Sequence, residues 1–171
     1  MKPPLQRLGD VLQEQVGGAL GRGEGDRVWD RHVQDSLTAL PLIESCRRLV
    51  DIGSGAGLPG LPLAMASPRM AVTLVEARAA RAGWLRSAVD RLALVNVDVL
   101  HARWEAAPDR NYDIAIARAL AAPRTAVEIV RRGPTVPRLL LYVTHAHDLP
   151  EGRFWPGVVD SERGVLDIDL R

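Results

Sequence analysis

Apolar residues near the start of the chain recur at the spacing of a helix. They are Leu5, Leu8, Val11, Leu12, Val16 and Leu20. Because residues three and four apart share one face of a helix, this pattern predicts an amphipathic helix over residues 5–20. The helix runs into the glycine-rich stretch GGALGRGEGD at residues 17–26, which is expected to be a mobile loop. A second helix is predicted over residues 28–45.

Five apolar runs with strand character follow the N-terminal helices. They are RLVDI, AVTLVE, VNVDVL, YDIAIA and RLLLYVT, and they begin at residues 48, 71, 95, 112 and 138. Helical segments fit between most of these runs, notably at residues 78–92 and 123–132. Pro123 suits the first turn of the second segment, and Gly133 suits its C-terminal cap. Strands that alternate with helices predict an α/β fold with a doubly wound, mainly parallel sheet.

The end of the chain shows a different pattern. The segments GVV and VLDIDL flank the turn-rich DSERG at residues 160–164, which predicts an antiparallel hairpin at the sheet edge. A mainly parallel sheet that finishes in this way is typical of the Rossmann-like class I methyltransferase fold. This likeness concerns the fold, so function has to be argued from the site.

Chain length and composition narrow the class of protein. The chain has 171 residues, 47% of them apolar, which predicts one domain over residues 1–171 with residues 1–45 as a helical extension. No apolar run has the length of a signal peptide or the ~20 residues of a membrane helix, so a cytoplasmic protein is expected. Cys46 is the only cysteine, which excludes a disulfide framework within this chain.

Charge is unevenly spread along the chain, although the net charge is only +1. Residues 78–138 carry eleven arginines and six acidic residues, whereas residues 148–171 carry three arginines and six acidic residues. The basic segment could bind a polyanion, or its arginines could lie on ordinary solvated helix faces; linear order leaves both open. No metal site is predicted, because the nearest candidate cluster, His145, His147 and Asp148, is explained equally well by a polar loop.

A dense glycine cluster follows the first strand, in the stretch LVDIGSGAGLPGLPLA at residues 49–64. Residues 53–57 are predicted to form a turn in which missing side chains let a ligand lie against the main chain. Four cofactor-binding residues are therefore predicted here: Gly53, Ser54, Gly55 and Gly57. Pro59 suits the first turn of the helix that follows.

The same glycines also match a dinucleotide-binding pattern. Gly55, Gly57 and Gly60 have its spacing, and Glu76 follows Gly55 by 21 residues, the distance expected of a ribose-binding acid. Asp51 favours S-adenosylmethionine instead, because its carboxylate would repel a pyrophosphate and could hold the ammonium group of that cofactor directly or through water. A hydride-transfer enzyme would also need substrate-binding residues from a further domain, and this requirement counts against a dinucleotide as the ligand.

Several segments, in order along the chain, resemble one family. The segments DIGSGAGLPGLPLA, VTLVEARAARAGWL, NVDVLHARWE and YDIAIARAL, with RHVQDSL upstream, are similar to the RsmG (GidB) family of bacterial 16S rRNA guanine-N7 methyltransferases. The resemblance runs from about residue 31 to residue 120. The chain resembles a shortened and divergent member, since it has Ala80 and Arg81 where the family has two basic residues, and Thr144 and His145 where the family has lysine and glycine.

The resemblance implies S-adenosylmethionine as cofactor and 16S rRNA of the small ribosomal subunit as partner. It assigns Gly53 and Leu58 to cofactor contact, Glu76 to the ribose, Trp104 and Glu105 to the adenine, and Arg118 to the active site. Guanine N7 carries a lone pair and no proton, so its methylation needs no general base, and alignment and desolvation can supply most of the rate. A monomer is expected.

The residues themselves agree in outline with these roles. Glu76 ends the second predicted strand and Arg118 follows the fourth, so both lie at the carboxyl edge of the sheet, where open α/β folds bind ligands. Arg118 is predicted to point into the crevice beside the cofactor and to hold a phosphate or the guanine O6; an ordinary salt bridge is the alternative.

Substrate contact is predicted for five further residues: Arg81, Arg103, His32, Asp35 and Ser36. The last three fall on one face at helical spacing, which a cap or a packed polar cluster would also explain.

Three functions stay open at this point. An rRNA methyltransferase predicts a basic face around Arg78, Arg81, Arg103 and Arg118. A methyltransferase with a small-molecule or other acceptor predicts a closed apolar pocket and weak salt dependence. A non-catalytic cofactor- or RNA-binding module predicts binding without methyl transfer.

Overall fold

The computed structural model describes residues 4–15, 32–144 and 149–171. Within these residues one sheet has the strand order β3-β2-β1-β4-β5-β7-β6. The strands are β1 Arg48–Ile52, β2 Ala71–Glu76, β3 Val97–His101, β4 Ile114–Arg118, β5 Arg138–Val143, β6 Arg153–Pro156 and β7 Gly164–Asp169. Strands β1 to β5 pair in parallel, whereas β7 is antiparallel to β5 and to β6. The predicted doubly wound, mainly parallel sheet with a C-terminal antiparallel hairpin is confirmed.

Helices cover both faces of the sheet. The α-helices are α1 Pro4–Gln13, α2 Gly60–Ala66, α3 Ala79–Leu92 and α4 Pro123–Arg131. One face packs against α1, α2, α3 and the 3₁₀ helix Leu37–Leu42, and the other packs against α4 and the 3₁₀ helix Trp104–Ala106. Pro123 occupies the first turn of α4, where a missing N–H and a fixed φ are tolerated.

Central parallel strands are apolar because helices cover them on both sides. All residues of β1 and β2 after the first are buried, and β4 is buried up to Ala117. Two carboxylates interrupt this pattern, Asp51 near the end of β1 and Glu76 at the end of β2, and both are buried. Buried charged groups require partners, so these two residues mark the part of the sheet where polar chemistry is concentrated.

The N-terminal segments differ from the predicted helices. Helix α1 ends at Gln13, and residues 16–31, including the glycine-rich stretch 17–26, lie outside the described residues. A continuous helix to residue 45 is wrong: residues 32–36 form one helical turn that continues as the 3₁₀ helix Leu37–Leu42. Pro41 lies inside that 3₁₀ helix and lacks the N–H that a regular α-helix would need there.

The first strand of the C-terminal hairpin lies earlier than the GVV segment predicts. Strand β6 ends at Pro156, and residues 157–159 belong to the turn, where Val158 is 71% exposed. Phe154 and Trp155 of β6 pack against the two sides of the core. The strand therefore forms where large side chains can be buried, because the exposed valines gain little from pairing.

The carboxyl ends of β1 and β4 meet at the centre of the sheet. These strands are neighbours, although β2 and β3 separate them along the chain, so the connections leave this pair in opposite directions. Such a switch point opens a crevice at the carboxyl edge, where ligands bind in open α/β folds. None of the helices in the described ranges has the length and apolar character that a bilayer crossing requires.

Candidate active site

The glycine turn after β1 is tied to the neighbouring strand. The N–H groups of Gly53 and Ser54 both donate to the carbonyl oxygen of Val75, at 2.9 and 3.0 Å. Gly53 is exposed and has φ +73, a conformation that residues with a side chain rarely adopt. The turn therefore presents bare main chain at the carboxyl edge, as the glycine cluster predicted.

Gly57 and Gly60 are required for a different reason from the exposed Gly53. A Cβ on Gly57 would lie 2.3 Å from the Leu61 side chain, and a Cβ on Gly60 would lie 2.4 Å from the Leu74 side chain. Both positions are buried. Close packing around α2 leaves no room for a side chain at either position, and the positive φ of Gly57 also favours glycine there.

Asp51 lies beneath the start of α2. Its Oδ2 accepts a hydrogen bond from the Gly60 N–H at 3.0 Å, and only 1% of the residue is exposed. Among the described residues its buried Oδ1 has no hydrogen-bond partner. Burial raises the pKa of the Asp51 carboxyl to about 7, although the Gly60 N–H and the Arg118 charge oppose that rise.

Glu76 bridges two stretches of main chain. Its Oε2 accepts from the Gly55 N–H at 3.0 Å, and its Oε1 accepts from the Arg78 N–H at 2.8 Å. A carboxylate oxygen has more than one acceptor position, so each oxygen keeps room for a further hydrogen bond. Glu76 therefore holds the glycine turn in place and could still bind a ligand hydroxyl, while its ribose contact stays a prediction.

Ser54 and Leu58 turn their side chains into the protein. The Ser54 hydroxyl donates to the Asp51 carbonyl oxygen at 2.8 Å, and only 2% of the residue is exposed. Leu58 is 5% exposed and packs in the core beside α2. Neither side chain faces the crevice, so the cofactor contacts predicted for these residues are restricted to the main chain.

Trp104 is a core residue in this structure. It is 3% exposed, and its indole Nε1–H donates to the carbonyl oxygen of Val130 at 2.8 Å. A Cβ on Gly133 would meet Trp104 Nε1 at 2.3 Å, so this glycine admits the indole ring. The buried ring leaves the main chain at residue 104 as the part that could contact an adenine, and the adenine contact stays a prediction. Glu105 is exposed and stays a candidate for adenine contact.

Arg118 lies under the N-terminal segment and does not project freely into the crevice. Its Nη1 is 3.4 Å from Asp35 Oδ2 and 3.5 Å from Ser36 Oγ, and its Nη2 is 3.2 Å from His32 Nδ1. The structure therefore brings Arg118, predicted for the active site, into contact with three residues predicted for substrate contact: His32, Asp35 and Ser36. Burial lowers the pKa of Arg118, and the Asp35 charge opposes that change.

Tyr142 is a site residue that the sequence analysis did not identify. Its hydroxyl donates to the carbonyl oxygen of Ser36 from the neighbouring strand β5. Tyr142 and Arg118 lie opposite each other on neighbouring strands, and both side chains contact residues 32–36. A hydroxyl near the end of an otherwise aliphatic strand was the available signal, because a buried tyrosine needs a polar partner.

Three further arginines lie at the carboxyl edge. Arg78 precedes α3, Arg81 is in its first turn, and Arg103 follows β3. Arg78 and Arg103 are exposed and Arg81 is half-buried. The described residues contain no group of three His, Cys, Asp or Glu side chains placed to hold a metal ion. The cluster His145, His147 and Asp148 lies outside the described residues.

Two solved structures that share this fold are named as methyltransferases. The S-adenosylmethionine-dependent methyltransferase SibL superposes with a TM-score of 0.69 at 15% identity, covering 98% of this chain and 70% of the other. The mitomycin 7-O-methyltransferase MmcR superposes with a TM-score of 0.66 at 14% identity, covering 97% and 67%. The fold is therefore that of the class I methyltransferases.

Sequence comparisons identify the family. The ribosomal RNA small subunit methyltransferase G of Mycobacterium avium (strain 104) is 46% identical over 123 residues, which are 68% of this chain and 50% of that protein. The corresponding protein of Sorangium cellulosum (strain So ce56) is 54% identical over 81 residues, 46% and 34% of the two chains. The chain thus spans about half the length of the curated relatives it matches. A family model described as rRNA small subunit methyltransferase G (GidB) matches residues 18–146, and the chain therefore belongs to this family.

Proposed function

We propose that the chain is an S-adenosylmethionine-dependent methyltransferase that methylates N7 of a guanine in 16S rRNA. One observation carries the proposal: two buried carboxylates, Asp51 and Glu76, bind the main chain around an exposed glycine turn at the carboxyl edge, and Arg118 ends the adjacent strand. Family membership supports an rRNA acceptor. The resemblance of RHVQDSL and GSGAGLPG to the guanine-N7 enzymes supports that position on the base.

The residues at this edge fit S-adenosylmethionine. The Oδ1 of Asp51, which has no hydrogen-bond partner among the described residues, is an acceptor for the ammonium group, directly or through a water molecule. The bare main chain of Gly53 gives the ligand a close approach, and Glu76 keeps acceptor capacity for a ribose hydroxyl. When bound, S-adenosylmethionine supplies an electrophilic methyl group on a sulfonium. The main chain around residue 104 and the exposed Glu105 are left to contact the adenine.

The protein's own part in the reaction is to align and desolvate the acceptor. Guanine N7 has an in-plane lone pair and no proton, so no residue has to act as a general base. Arg118 lies at the end of β4, next to β1 and its glycine turn, and its guanidinium can donate to the acceptor base while N7 stays free.

The partner that fits best is 16S rRNA in the small ribosomal subunit. Arg78, Arg81 and Arg103 lie at the edge that holds the glycine turn, and cations there bind phosphates through counterion release. We further propose that the protein is cytoplasmic and monomeric, forms one domain and needs no metal ion. A phosphate-rich acceptor predicts that binding weakens steeply as salt rises, whereas a small neutral acceptor would show weak salt dependence.

The proposal is tested by transfer of labelled methyl from S-adenosylmethionine to small ribosomal subunits that lack the guanine-N7 mark. Calorimetric binding of S-adenosylhomocysteine to the same preparation is the control for a folded cofactor site. We expect label on 16S rRNA at a single guanine N7, and loss of transfer with retained S-adenosylhomocysteine binding in Arg118→Ala.

The two measurements separate the parts of the proposal. Cofactor binding without label on the rRNA would overturn the proposed acceptor and leave the cofactor assignment standing. Absence of S-adenosylhomocysteine binding by a folded protein would overturn both.

A further inference from the structure

Asp35 and Arg118 form an ion pair that is largely shielded from water. The Arg118 Nη1 and Asp35 Oδ2 are 3.4 Å apart, and the two side chains are 17% and 11% exposed. At such burial an unpaired charge would be costly, so each group compensates the other. The arginine at the candidate active site is therefore electrically neutralised before any substrate binds.

Both Nη atoms of Arg118 lie within hydrogen-bond distance of acceptors in residues 32–36. Nη1 faces Asp35 Oδ2, Ser36 Oγ and the His32 carbonyl oxygen, and Nη2 faces His32 Nδ1. A guanidinium has donors only, so the contact with His32 requires Nδ1 to be an unprotonated acceptor. Residues 32–36 therefore hold the two Nη atoms of the guanidinium.

The acceptors of this cluster are fixed relative to the sheet. Val33 is fully buried in the core, and Tyr142 of β5 binds the main chain at Ser36. The Ser36 hydroxyl also bonds the His32 carbonyl oxygen at 2.5 Å, which holds the turn over residues 32–36 closed. Residues 32–36 thus fix the direction in which the Arg118 guanidinium points.

We propose that Asp35 is the positioning residue of Arg118, and that it makes this arginine a neutralised, directed donor to an uncharged carbonyl oxygen of the acceptor base. Phosphate binding is left to exposed arginines such as Arg103, which forms no ion pair with the residues that the structure describes. The inference rests on the proposed function, since it assigns the acceptor chemistry of the same site. It also explains why Asp35 is placed beside Arg118, where a carboxylate would oppose a phosphate ligand.

Salt dependence separates a carbonyl donor from a phosphate contact. Each phosphate contact adds about 0.7 to 0.9 to the slope of log Kd against log salt concentration. The experiment measures this slope for small ribosomal subunits lacking the guanine-N7 mark, with the full chain and with Arg118→Gln and Arg103→Gln. We expect the slope to fall by that amount in Arg103→Gln and to stay unchanged in Arg118→Gln, which loses methyl transfer. An equal fall in both variants would overturn the proposal.

The positioning role of Asp35 is tested by comparing kcat with KM. Asp35→Asn keeps the shape of the side chain and removes its charge, so we expect kcat to fall at least tenfold while KM for the subunits changes less than threefold. Asp35→Glu, which restores the carboxylate, should recover part of kcat. Unchanged kcat in Asp35→Asn, with cofactor binding intact, would overturn the role.

A measurement on the unmodified protein covers the case in which these variants do not fold. Inorganic phosphate is titrated while the arginine Nε–H signals are followed by NMR. Phosphate should shift the Arg103 signal and leave the Arg118 signal in place, and a phosphate-induced shift at Arg118 would overturn the inference. If the unmodified protein transfers no methyl to the subunits, the proposed function fails, and this titration still decides whether Arg118 binds phosphate.

Discussion

The carboxylate of Glu76, at the end of β2, accepts the N–H of Gly55, in the turn after β1, at 3.0 Å. The same carboxylate accepts the Arg78 N–H at 2.8 Å. One buried side chain therefore connects the glycine turn to the start of α3. The residue expected to bind the ribose also shapes the surface on which the cofactor would lie.

Replacing Glu76 by glutamine should weaken cofactor binding without unfolding the protein. A glutamine amide has one acceptor oxygen, so it can accept from only one of the two N–H groups, and its NH₂ faces the other donor. Loss of a hydrogen bond to a charged acceptor costs roughly 1.5–3 kcal/mol, and we expect the Kd for S-adenosylhomocysteine to rise about 10- to 100-fold. Calorimetry checks this, with the exposed Glu44→Gln as the matched control. A Glu76→Gln Kd within twofold of the parent value would contradict it.

Alanine at Gly57 and alanine at Gly83 should change the free energy of unfolding in opposite directions. Gly57 has φ +82, and a Cβ there would lie 2.3 Å from Leu61 Cδ1, so Gly57→Ala adds strain and overpacking. We expect a loss of at least about 2 kcal/mol in the free energy of unfolding. Gly83 lies within α3 with open space at its Cβ position, and Gly83→Ala should stabilise by about 0.5–1 kcal/mol. Urea denaturation measures both; a stabilised Gly57→Ala would refute the packing argument.

Trp104→Phe distinguishes a core tryptophan from one that stacks on a ligand. The substitution removes the indole N–H bond to the Val130 carbonyl oxygen and leaves a small void among buried neighbours. We expect the free energy of unfolding to fall by about 1–3 kcal/mol. The S-adenosylhomocysteine Kd should stay within about threefold, since the ring does not face the crevice. A large loss of affinity at unchanged stability would instead favour direct contact between the Trp104 ring and the adenine.

The buried carboxyl of Asp51 should make stability depend on pH near neutrality. Its pKa is raised to about 7, above that of an exposed aspartate, so the folded protein binds the proton more tightly than the unfolded chain does. The stabilisation is present in full below the unfolded-state pKa and is lost as pH rises through about 7.

Asp51→Asn provides the comparison, because it cannot lose a proton. The difference in free energy of unfolding should shift in favour of Asp51→Asn between pH 5 and pH 8, by at most about 3 kcal/mol. Urea denaturation at several pH values checks the trend. A difference that stays constant over this range would contradict the raised pKa.

Local patterns in the sequence predicted most of the fold and the glycine turn. The apolar runs placed β1, β2 and β5 within a residue of their positions, because strands covered by helices on both faces have to be apolar. The density of glycine around residues 53–57 predicted a bare turn, since positive φ angles favour residues without a Cβ. Errors appeared where periodicity was weak, as at the 3₁₀ helix containing Pro41 and in the turn at residues 157–159.

Local sequence patterns therefore suffice for the alternation of strands and helices, the hairpin, and the position of the turn and its carboxylates. These depend on neighbours a few residues apart. The tertiary structure alone decided that Trp104 belongs to the core and that Arg118 is paired with Asp35, 83 positions earlier. A strand-end arginine can face open solvent or a packed segment, and only the path of the N-terminal segment over the sheet selects between them. Long-range ion pairs are set by that path, which no local spacing encodes.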